Sequence, residues 1–405
     1  MNSSSTSSSR LPLSSFTQVS MSPPLPVIYL DNNATTQTDP AVVEAMLPYL
    51  TSRYGNPSSP YALGKESARA IQVAREQVAA LLKCEAGEII FTSSGTESTN
   101  AAIMSAIAAD PDRKHVVTTR VEHSATLKTC EVLAKRGYEI TWLGVNSQGQ
   151  VNPEEVEKAL RSDTALLSVM WANNETGTIF PIKELVEIAQ KKGVYFHTDA
   201  VQAIGKIPIA LDKLGIQFLS LSGHKLHCPK GVGALYVNKK TRFTPFMTGG
   251  SQENNRRGGT ENVALIVALG KACELARERA AIENDKILHI RNKFESSLLS
   301  SISGIKINGD VQDRLPNTTN LTFPGVDSEA LLMLLDDKQI YCSAGSACTS
   351  GSHAPSHVLK AMGITDTQAR ASLRFSFSHL NTETEIHQAV EQITVLVKKI
   401  QTSTV

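Results

Sequence analysis

The stretch 222-SGHKLHCPKGVGALY-236 places Lys225 just past the end of a hydrophobic run, 218-FLSLS-222. A lysine in a low-dielectric pocket has a depressed pKa, because desolvation disfavours its ammonium form. The neutral amine can then attack a carbonyl and form a Schiff base. The plainer reading is a lysine with a buried stem and a head that reaches solvent. Other run ends carry polar groups too. After 88-EIIFT-92 comes 93-SSGTESTN-100, a small-residue turn that opens a helix and suits an anion such as phosphate. It lacks the Gly-Lys-Ser/Thr of a nucleotide P-loop and is not GxGxxG, which disfavours ATP and NAD. Glu122-His123 follows 115-HVVTT-119, 173-NNETG-177 follows 164-TALLSVMWA-172, and 197-HTDAVQ-202 brings Asp199 and Gln202. One aspartate at a strand end is more often a helix cap than a functional group. Four such ends bearing His, Asn, Asp/Gln and Lys are harder to dismiss. A phosphate-ready turn, a carboxylate able to pair with a pyridinium nitrogen and a Schiff-base lysine are what pyridoxal phosphate requires.

A second group lies at 341-YCSAGSACTSGSHAP-355, rich in Gly, Ser and Ala, with Cys348 in its middle. A cysteine in an exposed, flexible loop is a candidate for reactivity, whereas a structural one is normally buried. Cys342 directly follows 339-QIY-341, a strand candidate, so core packing suits it better. Arg370 and Arg374 in 370-RASLRF-375 offer guanidinium forks for a substrate carboxylate, although a surface salt bridge is the commoner fate of either one. His224, His227 and Cys228 form an H-x-x-H-C cluster with a proline next, a poor spacing for tetrahedral metal closure. No metal site is expected from these residues.

The elements that must position these groups alternate in type. Residues 65–82 place Ala68, Ile71, Val78 and Leu82 at helical spacing, and 99–109 and a stretch from Leu127 also read as helices. The runs 88–92, 115–119, 164–172, 194–200, 218–225 and 233–237 read as strands. Strands alternating with helices predict a mostly parallel, helix-covered α/β sheet, whose ligands sit at the carboxyl ends of the strands. After about Gln252 a long helical stretch covers 262–302, a mixed α+β region follows, and 381–400 forms an amphipathic helix with Ile386, Val390, Ile393 and Val397 on one face. Lys+Arg is 40 against Asp+Glu 39, which leaves no electrostatic footprint for nucleic acid or an anionic membrane surface. No apolar run approaches the roughly 18 residues that span a bilayer. The six cysteines include no CxxC pair, so no disulfide framework or zinc ribbon is indicated and a reducing compartment fits best. Residues 1–26 are Ser- and Pro-rich, contain one Arg and no acidic residue, and suit disorder. They faintly resemble an organellar transit peptide; the expected location is cytoplasmic, or mitochondrial or plastid if that leader is a targeting signal.

The stretches 29-YLDNNATT-36, 55-GNPSS-59, 91-FTSSGTES-98, 172-ANNETG-177, 197-HTDAVQ-202, 222-SGHKLHCPKGVGALY-236, 256-RRGGTEN-262 and 343-SAGSACTSG-351 together are highly specific. Over about 28–396 the chain resembles cysteine desulfurases of the class V aminotransferase family, especially the nitrogen-fixation and housekeeping iron–sulfur-cluster branch. The resemblance implies a fold type I pyridoxal-phosphate enzyme with a mostly parallel seven-stranded sheet, working as a homodimer. It implies a large cofactor-binding domain over 27–280, with 27–40 able to pack on a smaller α+β domain over 281–405 that carries the cysteine loop 342–354. Lys225 resembles the Schiff-base lysine. Asp199 would pair with the pyridine nitrogen, Gln202 would donate to the phenolic oxygen, and His123 would stack on the ring and assist proton transfer. Gly95, Thr96, Ser222 and His224 would hold the phosphate, and Thr260 would reach the phosphate of the partner subunit. Asn174 would contact the ring or the substrate, and Arg374 and Asn33 the substrate carboxylate. The implied activity converts L-cysteine to L-alanine and leaves a persulfide on Cys348 for an iron–sulfur scaffold or another sulfur acceptor. The segment 374-RFSFSHLNT-382 departs from the family in carrying Ser378-His379 for a Gly-Arg pair. Competing readings are a selenocysteine lyase, a cystine C–S lyase, a true aminotransferase, or a silent cofactor-binding scaffold. A true aminotransferase needs no cysteine nucleophile, and a scaffold would have no use for Lys225, Asp199, His123 and Cys348 together.

Overall fold

A computed structural model describes residues 27–345 and 354–403. The expectations about the leader and about Cys348 therefore lie outside the described residues. Twelve short strands are found among the described residues: β1 (Ile28–Tyr29), β2 (Ile89–Thr92), β3 (His115–Thr119), β4 (Glu139–Leu143), β5 (Thr164–Ser168), β6 (Tyr195–Asp199), β7 (Phe218–Ser222), β8 (Gly233–Val237), β9 (Lys306–Asn308), β10 (Thr318–Thr322), β11 (Ile340–Tyr341) and β12 (Ser372–Ser376). Seven of them form the central sheet in the order β2-β8-β7-β6-β5-β3-β4. The pairs from β7 through β4 are parallel, and β8 runs antiparallel to both its neighbours. Because β8 reverses between them, β2 points the same way as β7. The carboxyl ends of β2, β3, β5, β6 and β7 thus share one edge.

Five central strands, β2, β3, β5, β7 and β8, are buried at every position, as expected for strands covered on both faces. The helix Gly95–Ala109 packs its Ala101, Ala102, Ile103 and Ala106 on one face, with Ile90, Val116 and Leu235. The helices Ala62–Leu82 and Val263–Ser301 pack on the other, through Ile71, Val78 and Leu82 and through Ile266, Leu269 and Ala272. Each such fully buried aliphatic side chain contributes roughly 1.5–3 kcal/mol. The strand EITWL, absent from the sequence expectations, is an edge strand with half-exposed positions.

A second apolar cluster gathers Phe294, Phe323, Phe375 and Phe377 with Ile386, Ile393 and Val397 of the last helix, Glu383–Ser403. Ile28 and Leu30 belong to this cluster although they open the described chain. They reach it because β1 pairs in parallel with β11, while Asp31 bridges to Ser376 of β12. The helix Val263–Ser301 runs through position 280 and serves both clusters: Ile266, Leu269 and Leu275 face the first, Ile287, Ile290 and Leu298 the second. The three-stranded sheet β12-β10-β9 carries Arg374 on its edge strand.

Candidate active site

Strand ends of the central sheet, the β1 extension and β12 enclose a cavity of about 180 Å3. Its walls include Asn33, Gly95, Thr96, His123, Asn174, Asp199, Gln202, Ser222, His224, Lys225 and Arg374. These are all the site residues expected from the sequence except Thr260 and Cys348. Thr260 is exposed on the loop before the helix Val263–Ser301 and does not line this cavity.

Lys225 closes a one-turn 3-10 segment, Gly223–Lys225, that follows β7 directly. Its Nζ donates to the carbonyl oxygens of Asn33 at 2.5 Å and Ala34 at 2.6 Å. The turn is held by the Leu226 N–H to Gly223 O bond and by the Thr36 hydroxyl on His224 O. Asp199 ends β6, and its Oδ1 accepts the Val201 N–H at 3.0 Å, the local bond of a capping aspartate. Burial pushes its carboxyl up, against the opposing charges of His123 and Lys225. A carboxylate so placed gains from a cationic partner inside the cavity.

His123 caps the helix Ser124–Lys135, and its Nδ1 accepts the Ala125 N–H at 3.2 Å. In the neutral ring that bond places the imidazole proton on Nε2. This capping role also starts the helix three residues before the expected Leu127. Ser94 caps the helix Gly95–Ala109 in the same manner, its Oγ accepting from Glu97 N at 3.1 Å. The leading N–H groups of that helix have no intrahelical acceptors and carry the positive end of its dipole. Glu97 is drawn sideways to Arg257 at 2.9 Å, and its carboxylate is held low by Arg257 and Ser93 despite burial. Gly95 is required by close approach, since a Cβ there would stand 2.8 Å from Val201 Cγ2 and 3.3 Å from Ser222 Cβ. His224 is pushed down to about 4 by burial and the nearby Lys225, so it is neutral at pH 7 and acts as a hydrogen-bonding group. Its Nδ1 lies 3.2 Å from Thr35 Oγ1.

Arg374 is the largest fully buried side chain, at 1% exposure. Its Nη2 donates to Asp31 Oδ1 at 2.7 Å and its Nη1 to Asn174 O at 3.0 Å. Its Nε has no hydrogen-bond partner among the described residues. A buried guanidinium nitrogen left over beside a cavity fits an anionic ligand. Asn33 is differently placed. Its Nδ2 donates to Thr318 Oγ1 and to Asn174 O, and its Oδ1 accepts from Asn317. The side-chain amide is thus spent on the wall, and the backbone carbonyl is what faces Lys225. Arg370, the other arginine of that segment, ends the short helix Asp366–Arg370 and does not line the cavity.

Asp31, Ala34, Met170 and Val201 also shape the site and were not singled out from the sequence. Asp31 stands inside the quoted 29-YLDNNATT-36, so its neighbours were legible; nothing distinguishes Met170 from the rest of its apolar run. His224, His227 and Cys228 do not converge: His227 Nδ1 turns to Gln37 O at 2.8 Å, and Cys228 is buried with its thiol pushed up by desolvation. On either side of the undescribed segment the chain is tied to the site. Ser343 pairs with Arg374 through backbone hydrogen bonds, and Ser356 Oγ donates to Glu175 Oε2 at 2.5 Å, next to Asn174.

The chain is similar to known proteins over most of its length. A curated protein from Nostoc sp. named cysteine desulfurase is 50% identical over 375 residues, covering 93% of this chain and 94% of its own. A solved structure of a NifS-like protein superposes with a TM-score of 0.87 at 37% identity, covering 92% of this chain and 100% of its own. Another, described as SspA in complex with cysteine, gives 0.76 at 32% identity, covering 88% and 100%. The family model of aminotransferase class-V matches residues 28–389, and the chain belongs to that family.

Proposed function

We propose that this protein is a pyridoxal-phosphate-dependent cysteine desulfurase that takes sulfur from L-cysteine, releases L-alanine and leaves a persulfide on Cys348. The observation that carries the reading is the convergence of Lys225, Asp199, His123, Gln202 and the turn at Gly95 in one cavity of about 180 Å3. Similarity to proteins named cysteine desulfurase over more than nine-tenths of the chain supports it, as does a structural relative described with cysteine. The family depends on pyridoxal phosphate in general, and the residues present fit that group. Its phosphate matches the helix start at Gly95 and Thr96 with Ser222 and His224; its ring nitrogen matches the buried Asp199; its aldehyde matches Lys225.

Bound there, pyridoxal phosphate supplies an electrophilic carbon and an electron-withdrawing ring that acidifies the substrate's Cα–H. The chain does the rest. Asp199 would hold a proton on the ring nitrogen by its charge. Gln202 would donate to the phenolic oxygen, and His123 would lie over the ring with its Nε2–H available for transfer. Arg374 would fix the substrate carboxylate. Lys225 would carry the Cα proton. The Cys348 thiolate then attacks the substrate sulfur: an S–S bond forms, the Cβ–S bond breaks, and its electron pair stays on the carbon, which takes up a proton to become the methyl of alanine. Overall one thiol hydrogen passes to carbon and one sulfur to Cys348. A homodimer in which Thr260 reaches the partner's phosphate, and an iron–sulfur scaffold or other protein as sulfur acceptor, complete the reading. Among the described residues no helix is long and apolar enough to cross a membrane.

Borohydride treatment with peptide mapping is expected to leave a pyridoxyl tag on Lys225. With L-cysteine, Cys348→Ser is expected to abolish alanine formation while the yellow cofactor spectrum survives. A tag on another residue, or equal turnover in the variant, would overturn the assignment.

A further inference from the structure

A second cavity, of about 60 Å3, lies behind the Lys225 turn and is lined by Lys206, Lys225, His227, Arg279, Glu283 and His379 among others. Lys206 lines this second cavity and reaches the wall of the first through Gln202. It follows Gln202 by four positions, and its Nζ donates to Gln202 Oε1 at 2.8 Å. Gln202 Nε2 donates to Asn33 O at 3.0 Å, and Lys225 Nζ donates to that same carbonyl at 2.5 Å. A continuous chain of hydrogen bonds therefore joins the two amines.

Two consequences follow from the chemistry of the links. An ammonium has only donors, so it takes the oxygen end of a carboxamide and leaves the NH2 end for the other side. Gln202 lines the candidate active site, so the donor end is the one presented there. The second consequence is electrostatic. Burial, together with the positive charges of Lys225 and Arg374, pushes Lys206 down to about 7. Asp39, Asp199 and Glu283 are the carboxylates, and His123, His224, His227, Arg279 and His379 the other titratable groups, that face this region from neighbouring elements, with Asp39 paired to Arg279 at 3.0 Å. The hydrogen-bond partner of Lys206 in the chain is nevertheless a neutral amide. Two coupled amines cannot both hold a proton without repulsion, so each lowers the proton affinity of the other.

We infer that Lys206 is a positioning residue for this site: it orients the Gln202 amide with Nε2 toward the cavity and biases Lys225 toward the unprotonated form that attacks a carbonyl. The inference deepens the pyridoxal-phosphate reading and rests on it. Full-length wild type, Lys206→Met and Lys206→Arg are loaded with pyridoxal phosphate, and the visible absorbance of the Lys225–cofactor linkage is titrated against pH. Lys206→Met is expected to raise the midpoint by about one unit, a tenfold change in proton binding, and Lys206→Arg to leave it within a few tenths. In cofactor-free protein, the acetylation rate of Lys225 by acetic anhydride near pH 6, where Lys206 carries its charge, mapped by mass spectrometry, is expected to fall about tenfold in Lys206→Met alone. If Lys206→Met fails to fold, Lys206→Gln, which can still donate to Gln202 but carries no charge, must show the same upward shift. Unmoved midpoints and rates in the neutral variants overturn the inference. Absence of any yellow adduct in wild type would sink the pyridoxal-phosphate reading, and the acetylation result would still decide the coupling of the two amines.

Discussion

Replacing Arg374 by lysine separates its two jobs, holding the wall and binding a carboxylate. A guanidinium has five N–H donors. One is spent on Asp31 Oδ1 and one on Asn174 O, which leaves three, including the unpartnered Nε, for a ligand. A lysine ammonium has three donors; the same two wall contacts would leave one. Two charge-assisted bonds to the substrate carboxylate would then become one. A hydrogen bond to a charged group contributes about 1.5–3 kcal/mol, so kcat/KM for L-cysteine should fall about 10- to 150-fold. Because the contact is made before and during the reaction, most of the loss should appear in KM. The positive charge beside Asp31 is retained, so the thermal midpoint should move by only a few degrees. Alanine formation from L-cysteine measures the loss. Cysteamine, which lacks the carboxylate, is the control: its slow consumption should be equal in both proteins. A threefold or smaller change with L-cysteine, or an equal loss with cysteamine, would show that Arg374 does not bind the carboxylate.

Two further outcomes follow from the same geometry. In Gly95→Ala the new methyl would meet Val201 Cγ2 at 2.8 Å and crowd the phosphate turn, so affinity for pyridoxal phosphate, read by absorbance titration, should drop about tenfold or more while the far-ultraviolet dichroism stays unchanged. Glu122 is fully buried and pushed up to about 8, mainly by desolvation, from an ordinary 4.5. The folded state therefore binds more protons than the unfolded one between those values, and stability from this group is lost as pH rises from about 4.5 to about 8. Glu122→Gln, which stays neutral throughout, should unfold at a higher temperature than wild type at pH 8 and lose that advantage by pH 5.

Much of this site is written in the sequence because strand ends in an open α/β sheet are where polar residues have least structural excuse. Asp199, Lys225 and His123 each interrupt an apolar run, and the fold collects them on one edge. Other features needed three dimensions. The helix at Gly95 begins four residues before the 99 that periodicity suggests, since its polar first turn reads as loop until Ser94 is seen to cap it. The apolar run 164–172 outlasts its strand, which ends at Ser168, because Met170 and Ala172 are buried beneath the site and not within the ladder. Asn33 looks like a substrate binder until its amide is found spent on Thr318, Asn174 and Asn317. Thr260 is exposed and does not line this cavity, although it stands in the quoted 256-RRGGTEN-262.

Asp31 and Arg374 meet across 343 residues of chain, and the same short segment supplies the carbonyls that hold Lys225. A nascent polypeptide that has emerged through β8 already owns every strand end of the big sheet, yet the tether that pins residues 31–34 against them is still untranslated. Vitamin capture should accordingly be a late event in biosynthesis. Ribosome-stalled chains ending before Ser372 should retain little coenzyme, whereas those extended past the final helix should turn yellow.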